Sequence, residues 1–410
     1  MRSPITPLRD RLRGQAHDQA HGRLRQLLQR PPRGWPSFSS PLRSTAVTAR
    51  LGRVLGIAFV VCFATGLLSH YQYHPWTWLP IPGAPVWGYR LTQGVHVITG
   101  IACIPLILVK LWSVFHQLFQ WPPVRGLVHA AERGSVAILV ASSVLQLITG
   151  LFNVLQFYPW PWDFVKVHYW LSWVIIGSLL LHVAVQLPKI REGLSTPVSR
   201  SNPGRQRTVL GTSKPGGLTR RGVLISAAGG VGLVVATTVG QVVPGLSRFA
   251  LLAPRRPDRA PDEKLPVNKT ARSAGVVSPA QSPDYHLTVD GARNFELSLA
   301  ELEALVTEET TLPIACVEGW SKSAHWRGPR LLSLIERAGG SRASHVTVHS
   351  LQKGGYNSST LTGSQLESAL LATHLNGERL SLDHGYPLRL IAADRSGVLQ
   401  TKWLTRIEVR

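Results

Sequence analysis

The chain of 410 residues contains little cysteine. It has only Cys62, Cys103 and Cys316, and the first two lie inside apolar segments. Cys316 has no second cysteine with which to pair in the polar C-terminal part, so a disulfide framework is excluded. Because a small buried thiol is the ordinary explanation of Cys62 and Cys103, Cys316 is the cysteine that calls for a functional explanation.

Acidic residues are also scarce, with 22 Asp and Glu against 44 Lys and Arg and a net charge of +22. Such a surplus is typical of nucleic-acid binding, but its distribution argues against a nucleic-acid partner. Residues 1–53 carry a net charge of +9 and residues 188–221 carry +7, whereas residues 245–410 carry only +3. Positive charge concentrated beside apolar segments follows the positive-inside rule of membrane proteins.

Charge is nearly absent from five apolar segments, each long enough for a bilayer, which needs about 20 residues. The segments are 54–70, 91–115, 135–157, 168–187 and 222–243. They predict a multi-pass protein of the cytoplasmic membrane, and a soluble protein with buried helices is the weaker explanation. The basic segments indicate the cytoplasmic side, so an odd number of spans places the C-terminal domain outside. Two loops face outward, one with Trp76, Trp78 and Trp87 and the other at 158–164.

The predicted plan is multidomain, a helical transmembrane bundle of five spans followed by a strand-rich α+β domain. Its parts are a disordered basic tail (1–50), a four-helix membrane domain (51–190), a basic loop (191–221), a fifth span (222–243), a linker (244–261) and a soluble domain (262–410). No cleavable signal peptide is expected at the N-terminus. Arg220 and Arg221 before the fifth span resemble a twin-arginine export signal, which would imply a translocase partner. An ordinary positive-inside pair explains them equally well.

Four histidines lie in or beside the apolar segments, where an ionisable residue is a functional hypothesis by default. His168 and His182 are 14 residues apart on one span, which places them on one face and roughly 21 Å apart along the axis. Paired imidazoles at two depths suit a bundle with two b-type haems. We expect an outer haem on His96 and His168, with His70 as an alternative to His96. We expect an inner haem on His129 and His182. Hydrogen-bonded packing explains any one of these histidines equally well.

The arrangement of the first four spans resembles bacterial b-type cytochromes of the membrane cytochrome b561 kind, although no sharp motif carries the likeness. By that resemblance, residues 51–190 would bind two haems b and exchange electrons with quinone or quinol.

Short alternating stretches after residue 285 predict strands at 285–289, 345–349 and 388–391. Short helices are predicted at 299–305, 331–338 and 366–372. Between them lies the most specific stretch of the chain, residues 312–321, which read LPIACVEGWS around Cys316. It is followed by LDHGYPLR at 382–389 and by GVLQTKW at 397–403.

These motifs, in this order, resemble the molybdopterin-binding domain of the sulfite oxidase family over residues 262–410. Within that family the likeness is greatest to the bacterial periplasmic protein-methionine-sulfoxide reductase subunit. The resemblance implies that Cys316 ligates molybdenum and that Tyr356 lies near the substrate. It also implies a set of residues that hold the pterin: Asn268, Lys269, His384, Arg389, Arg395 and Lys402. An inert core thiol is the weaker explanation of Cys316. No immunoglobulin-like dimerisation domain is expected.

The resulting expectation is a membrane-bound, molybdenum-dependent oxidoreductase that transfers an oxygen atom. We expect it to reduce an S-oxide or N-oxide with electrons relayed from the quinone pool through the haems. Two alternatives stay open. One is a sulfite-oxidising dehydrogenase that donates electrons to quinone, and the other is a non-catalytic membrane electron carrier.

Overall fold

The computed structural model describes residues 31–198, 219–256 and 265–410, apart from positions 37, 39, 41, 75–78, 80–83, 244 and 306. Most of the predicted tail and basic loop, together with Trp76 and Trp78, therefore lies outside the described residues. The chain divides into two compact units. The first is Met1–Gly56, Pro105–Ser143 and Gly177–Gly229; the second is Ile57–Ile104, Val144–Ile176 and Gly230–Arg410. The second unit thus joins one part of each long helix to the C-terminal domain.

Five long helices form the N-terminal part. They are α1 Thr45–Tyr73, α2 Gly88–Val114, α3 Leu127–Leu155, α4 Phe164–Ser195 and α5 Arg220–Ala236. Short 3-10 turns extend α2 to Phe119 and α5 to Gln241. Each helix is long and apolar enough to cross a bilayer, so the five predicted apolar segments are confirmed as helices. Helix α1 begins within the predicted tail, and α4 continues five residues into the predicted basic loop.

Within the first unit, α1 and α4 pack closely because a glycine leaves room at their contact. A Cβ atom on Gly193 would lie 2.7 Å from the Cβ of Ala49, and small residues permit such approaches between membrane helices. The guanidinium of Arg50 donates to the carbonyls of Gly193, Leu194 and Thr196 at 3.0, 3.3 and 3.2 Å. It therefore satisfies carbonyls that the end of α4 leaves without an intrahelical donor.

The C-terminal domain contains eleven strands among its described residues. They are β1 His286–Asp290, β2 Phe295–Ser298, β3 Glu308–Ala315, β4 Ser321–Gly328, β5 His345–Ser350, β6 Ser358–Thr362, β7 Leu370–Ala372, β8 His374–Leu375, β9 Glu378–Arg379, β10 Arg389–Ile391 and β11 Leu404–Val409. One sheet has the order β2-β1-β11-β5-β6, a second β3-β4-β8-β9, and β10 pairs with β7. Of the paired strands described, β1 and β11 run parallel and the others antiparallel. The multidomain layout with a strand-rich C-terminal domain is confirmed.

Short helices connect the strands. They are α6 Ala271–Ala274, α7 Val277–Ala280, α8 Leu299–Ala304, α9 Leu331–Arg337 and α10 Ser364–Ser368. The predictions at 299–305 and 331–338 correspond to α8 and α9. The prediction of one helix at 366–372 is wrong, because β7 follows α10 directly. All three residues of β7 are buried, and they pair antiparallel with β10, so tertiary burial overrides local helix propensity.

Two apolar clusters of this domain lie around its two larger sheets. One packs around the five-stranded sheet and contains Leu287, Val346 and Ile407. The other packs around β3 and β4 and contains Cys316 and Trp326. Cys316 thus lies within a close-packed interior, where its surroundings are fixed by neighbouring side chains.

Candidate active site

Cys316 is the first residue of the turn that joins β3 to β4. The two strands pair along their whole length, up to Ala315 and Ser321. The Cys316 N–H donates to the Trp320 carbonyl at 2.9 Å, and the Gly319 N–H donates to the Cys316 carbonyl at 3.1 Å. Gly319 has a φ of +82°, a conformation that costs glycine little. The turn therefore holds Cys316 in one position, with the residue only 2% exposed.

A narrow cavity adjoins Cys316. Four different segments of the domain contribute to its walls, and its polar and charged members are Asn268, Trp320, Asp383, His384, Arg389 and Lys402. Five of the residues named from the sequence thus meet at one place: Cys316, Asn268, His384, Arg389 and Lys402. They come from positions up to 134 residues apart in the chain, so the fold, and not sequence proximity, assembles the site.

Lys402 is the centre of a hydrogen-bond cluster on one wall of the cavity. Its Nζ donates to Asn268 Oδ1 at 3.2 Å, to the Lys269 carbonyl at 2.5 Å and to the Asp383 carbonyl at 2.9 Å. Burial, followed by the positive charge of Arg389, lowers the pKa of Lys402 to about 7. Lys269 supports this cluster through its main chain.

His384 is held on both sides of its ring. Its Nδ1 lies 2.9 Å from Ser381 Oγ, and its Nε2 lies 3.3 Å from the Leu265 carbonyl. Burial, and then the charges of Arg389 and Lys402, lower the pKa of His384 to about 4. The imidazole is therefore neutral near pH 7 and serves as a hydrogen-bonding group.

Arg389 is a buried cation at the start of β10. Its Nη1 donates to the His384 carbonyl at 3.1 Å. Its Nε is buried and has no hydrogen-bond partner among the described residues. Burial lowers the pKa of Arg389 to about 10, and the nearby Cys316 opposes that shift. A buried donor without a partner calls for an explanation, and an anionic ligand in the cavity would provide one.

The Cys316 thiol is held protonated by its surroundings. Burial raises its pKa well above the usual range, and the Glu318 carboxylate raises it further, against the opposing charges of Arg255 and Arg389. A thiol in such a place does not ionise by itself. A soft metal cation would supply the missing positive charge and displace the proton.

Two residues named from the sequence lie elsewhere. Arg395 is buried outside the cavity, where its Nη1 donates to the Thr360 carbonyl of β6 at 2.7 Å. Tyr356 is half exposed with a φ of +60°, and its ring centre is 6.4 Å from that of Tyr73. Arg395 is not among the residues that line this cavity, but its Nε is buried without a hydrogen-bond partner among the described residues, so the pterin-binding role expected for it stays a prediction.

A group of hydroxyls beside Cys316 had no signal in the sequence. Tyr73 is the last residue of α1 and Tyr89 lies in the first turn of α2. Both have buried hydroxyls that face Ser396, whose own Oγ is buried. Ser396 forms a bridge with Ala315, the residue before Cys316. Tyr73 and Tyr89 are more than 200 positions from Ser396 in the chain, and no local pattern indicates these contacts.

A larger cavity of about 960 Å³ shares the walls at 265–267, Asp383 and His384 with the narrow one. Three arginines, Arg255, Arg256 and Arg272, lie in its lining. Guanidinium groups are well suited to bind phosphate, so the pair of cavities could hold an elongated anion that extends away from Cys316.

His96 and His168 form a pair within the second unit. Their ring centres are 6.1 Å apart, and the ring planes make an angle of 74°. His96 Nδ1 lies 3.0 Å from the Cys62 carbonyl, and His168 Nδ1 lies 2.9 Å from Thr149 Oγ1. In both rings the other nitrogen, Nε2, remains to serve as a ligand, and partners at Nδ1 fix the orientation of ligating histidines.

Each histidine of this pair faces a glycine on a neighbouring helix. A Cβ atom on Gly66 would lie 3.2 Å from His96 Cε1, and one on Gly150 would lie 3.3 Å from His168 Cε1. Any larger residue at these positions would displace an imidazole. The glycines therefore keep space around both rings.

The other histidines of the helices have different surroundings. His70 stacks on Tyr169 with ring centres 3.8 Å apart. In the first unit, His129 Nδ1 accepts the Arg125 N–H at 3.2 Å, and the buried Nδ1 of His182 has no hydrogen-bond partner among the described residues. No ring contact joins His129 to His182 in the described part of the chain. His96 and His168 therefore lie side by side, and the haem-ligand roles expected for both pairs stay predictions.

One protein family and several individual proteins are similar to this chain. The profile of the "Oxidoreductase molybdopterin binding domain" family matches residues 274–410. An uncharacterized oxidoreductase, YuiH, of Bacillus subtilis is 33% identical over 114 residues, which are 27% of this chain and 57% of that protein. The nitrate reductase [NADPH] of Mycosarcoma maydis is 46% identical over 74 residues, 17% of this chain and 8% of that protein.

The mitochondrial sulfite oxidase of Drosophila melanogaster is 30% identical over 157 residues, 31% of this chain and 27% of that protein. This chain therefore spans between less than a tenth and little more than half of the length of these relatives. Their names include both an oxidase and a reductase.

Proposed function

We propose a function for the whole chain on the premise that residues 274–410 form a molybdopterin-binding oxidoreductase domain of the sulfite oxidase family. It is a membrane-bound molybdenum enzyme that reduces an S-oxide or N-oxide. Its electrons come from quinol and pass through b-type haem in the helical bundle.

The observation that carries this proposal is the buried Cys316 thiol beside a cavity lined with basic groups. Molybdopterin offers dithiolene sulfurs for the metal and a phosphate for the basic residues. The chemistry of the surroundings fits such a group, because the buried Arg389 Nε has no hydrogen-bond partner among the described residues, and an anion beside Lys402 would oppose the lowering of its pKa by burial. Cys316 would supply the protein thiolate, and Arg389, Lys402 and His384 would bind and orient the pterin.

When bound, the molybdenum would supply the two-electron oxygen-atom transfer. The residues of the chain would form the site that holds the molybdenum. The turn at Gly319 fixes the Cys316 sulfur, and the apolar cluster around Trp326 keeps water from the metal ligand. His384, neutral near pH 7, holds the wall of the cavity without adding charge.

The pair His96 and His168 supports a haem in the second unit. The two ring centres are close enough for both imidazoles to bind one iron ion, which would supply one-electron transfer there. The observed distance is 6.1 Å, and the glycines at 66 and 150 leave space around both rings. We therefore place one haem b on His96 and His168. The second haem, on His129 and His182, stays a prediction.

The preference for an S-oxide or N-oxide over sulfite rests on the groups beside Cys316. The hydroxyls of Tyr73, Tyr89 and Ser396 are neutral hydrogen-bonding groups, and Tyr356 stands next to Tyr73. Neutral hydroxyls in the neighbourhood of Cys316 favour a polar, uncharged oxide over an anion. Sulfite oxidation with electrons passed to quinone is the second candidate, supported by the similarity to sulfite oxidases. A non-catalytic electron carrier is the third.

A comparison of Cys316→Ser with wild type tests the molybdenum chemistry. Purified full-length protein is assayed for molybdenum, for reduction of a sulfoxide by a quinol analogue, and for oxidation of sulfite. We expect sulfoxide turnover in the wild type and its loss in Cys316→Ser, with pterin retained. Cys103→Ala, which removes a buried thiol in the helical bundle, is the matched control and should stay active. Sulfite oxidation without sulfoxide turnover would favour the sulfite-oxidising dehydrogenase. Absence of molybdenum from the wild type would favour the non-catalytic electron carrier.

A reduced-minus-oxidised spectrum tests the haem. We expect a b-type band that is lost in His168→Leu and in His96→Leu. His70→Leu is the matched control, because His70 lies in the same bundle and stacks on Tyr169. Loss of the band in His70→Leu alone would move the haem to His70. The ratio of haem to molybdenum gives the number of haems in each protein. A ratio of one instead of two would contradict the second haem on His129 and His182.

The orientation of the chain is part of the proposal. We place the C-terminal domain outside the cytoplasmic membrane, because the basic segments before α1 and before α5 indicate the cytoplasmic side. A reporter that is active only outside the cytoplasm, fused after Arg410, should be active. If export uses the Arg220–Arg221 pair through the twin-arginine route, the double substitution Arg220→Lys with Arg221→Lys should abolish that activity, although it preserves the positive charge of the pair.

A further inference from the structure

The residue after Cys316 is held by two helices that also hold the histidine pair. The carbonyl of Val317 accepts a hydrogen bond from Asn153 Nδ2 at 2.9 Å and another from Gln93 Nε2 at 3.4 Å. Asn153 lies on α3 and Gln93 on α2. One carbonyl group, one peptide unit from Cys316, thus accepts an amide from each of two helices.

The rest of the turn is fitted to the same two helices. The Gln156 amide donates to the Glu318 carboxylate. A Cβ atom on Gly319 would lie 3.1 Å from Val97 Cγ1 and 3.3 Å from Val154 Cγ2. Since all these residues belong to the second unit, the turn and the helix ends pack as one compact body, and the position of the Val317 carbonyl is fixed.

Each of the two amides lies about one helical turn from a histidine of the pair or from the residue that contacts that histidine. Gln93 is three residues before His96 on α2, and residues three apart lie on one face of a helix. Asn153 is four residues after Thr149, whose Oγ1 is 2.9 Å from His168 Nδ1. Both amides therefore connect the Val317 carbonyl to an imidazole through side chains, a short piece of helix and a hydrogen bond.

Continuous bonds make this route suitable for electrons. Electrons tunnel more readily through covalent and hydrogen-bonded atoms than across gaps between atoms in van der Waals contact. Gln93 is 7% exposed, so bulk water does not compete strongly for the Val317 carbonyl on that side. Gln93 is itself held, since the Ser69 hydroxyl donates to its Oε1 at 3.2 Å.

We propose that the Val317 carbonyl, clamped by Gln93 and Asn153, is the junction through which electrons pass between the haem on His96 and His168 and the molybdenum on Cys316. The inference rests on the proposed function and adds a route to it. Gln93 and Asn153 are positioning residues, because they act through the turn and touch neither substrate nor metal.

The electron balance follows from the proposed reaction. When bound, the haem would supply one electron at each passage through the junction, and the molybdenum would accept it. Two passages supply the two electrons that one oxide consumes. The oxide takes up two protons from water, its oxygen leaves as water, and quinol restores the haem.

The test measures electron transfer within the purified full-length protein. The haem is reduced with a quinol analogue, a sulfoxide is added, and haem reoxidation is followed in a stopped-flow instrument. In Gln93→Leu and Asn153→Leu we expect reoxidation to slow about tenfold, and more in the double variant, because each substitution removes one of two hydrogen bonds to the Val317 carbonyl; this is less than the roughly hundredfold that a misplacement of about 1 Å can cost a positioned reaction. Haem absorbance, the haem potential and molybdenum content should equal those of the wild type.

Gln156→Leu is the matched control. It removes an amide that contacts the same turn at Glu318 but not at Val317, so its reoxidation rate should stay at the wild-type value. If the leucine variants do not accumulate, Gln93→Glu and Asn153→Asp keep the side-chain shape while removing the donor, and they should show the same slowing.

Unchanged reoxidation rates in the Gln93 and Asn153 variants, with both cofactors present, would overturn the junction and leave the proposed function standing. Equal slowing in Gln156→Leu would also overturn it, because the effect would then belong to the turn as a whole. A wild-type protein without haem or molybdenum would refute the proposed function itself, and the junction with it.

Discussion

Lys402 should make the stability of the cofactor-free protein depend on pH. Its pKa is lowered from an ordinary value of 10.5 to about 7, first by burial and then by the charge of Arg389. Between pH 7 and pH 10.5 the Lys402 side chain is protonated in the unfolded chain but mostly neutral in the folded domain. By linkage, stability therefore rises as the pH increases from about 7 towards 10.5 and becomes independent of this group outside that window.

The size of the effect follows from the same two values. The full pKa shift of Lys402 corresponds to roughly 5 kcal/mol in the free energy of unfolding. Between pH 7 and pH 9 the recovered part is about 2 kcal/mol, which should raise the melting temperature of a domain of this size by about 6 °C. Lys402→Met removes the titrating group and keeps an unbranched side chain in the same space, so the variant should lack this rise.

The assay compares the slopes of melting temperature against pH. Wild type and Lys402→Met, both produced in cells that make no molybdopterin, are melted in detergent at pH 7, 8 and 9 with tryptophan fluorescence as the signal. Other titrating groups act on both proteins, so the difference between the slopes reports Lys402. Equal slopes would refute the reasoning. With the anionic cofactor bound, Lys402 should stay protonated and the rise should disappear from the wild type as well.

Three further predictions concern the packing of the two sites. Gly150→Leu should abolish the b-type band, since a Cβ at 150 already lies 3.3 Å from His168 Cε1, whereas Gly100→Leu, with open space at its Cβ, should keep it; a spectrum of each variant decides. Arg389→Met should lower the molybdenum content severalfold, while Arg330→Met, which removes a partly exposed ion pair with Glu308, should not; metal analysis of both proteins measures this. Trp326→Ala should destabilise the C-terminal domain by about 3–5 kcal/mol, because the side chain is fully buried and its loss leaves a cavity; an unchanged melting temperature would contradict this.

The features that could be predicted from the sequence are those set by local pattern. Five helices follow from apolar runs, because the length of a bilayer fixes the length of the run. Cys316 follows from a motif in which the strand, the turn glycine and the tryptophan are adjacent in the chain. The proximity of His96 to His168 can be predicted because both residues lie near the outer ends of their spans, and the structure places the two rings side by side.

The features that could not be predicted depend on contacts between distant segments. Arg395 is only six positions from Arg389, but the turn after β10 directs its guanidinium to Thr360. The stretch at 370–372 has the composition of a helix, yet β10 makes it a strand. Tyr73 and Tyr89 reach Ser396 only because the second unit joins helix ends to the C-terminal domain. The spacing of these three residues along the chain does not predict that contact.

The missing side chain at Gly319 also has an evolutionary consequence. A Cβ atom at 319 would lie 3.1 Å from Val97 Cγ1 and 3.3 Å from Val154 Cγ2, so these two side chains would have to shift to admit it. A side chain at 319 should therefore be tolerated better when residue 97 or 154 is smaller, and we expect these three positions to vary together among relatives. The C-terminal domain of this chain could not be exchanged freely for that of a distant relative, because the turn at 319 packs against side chains of α2 and α3.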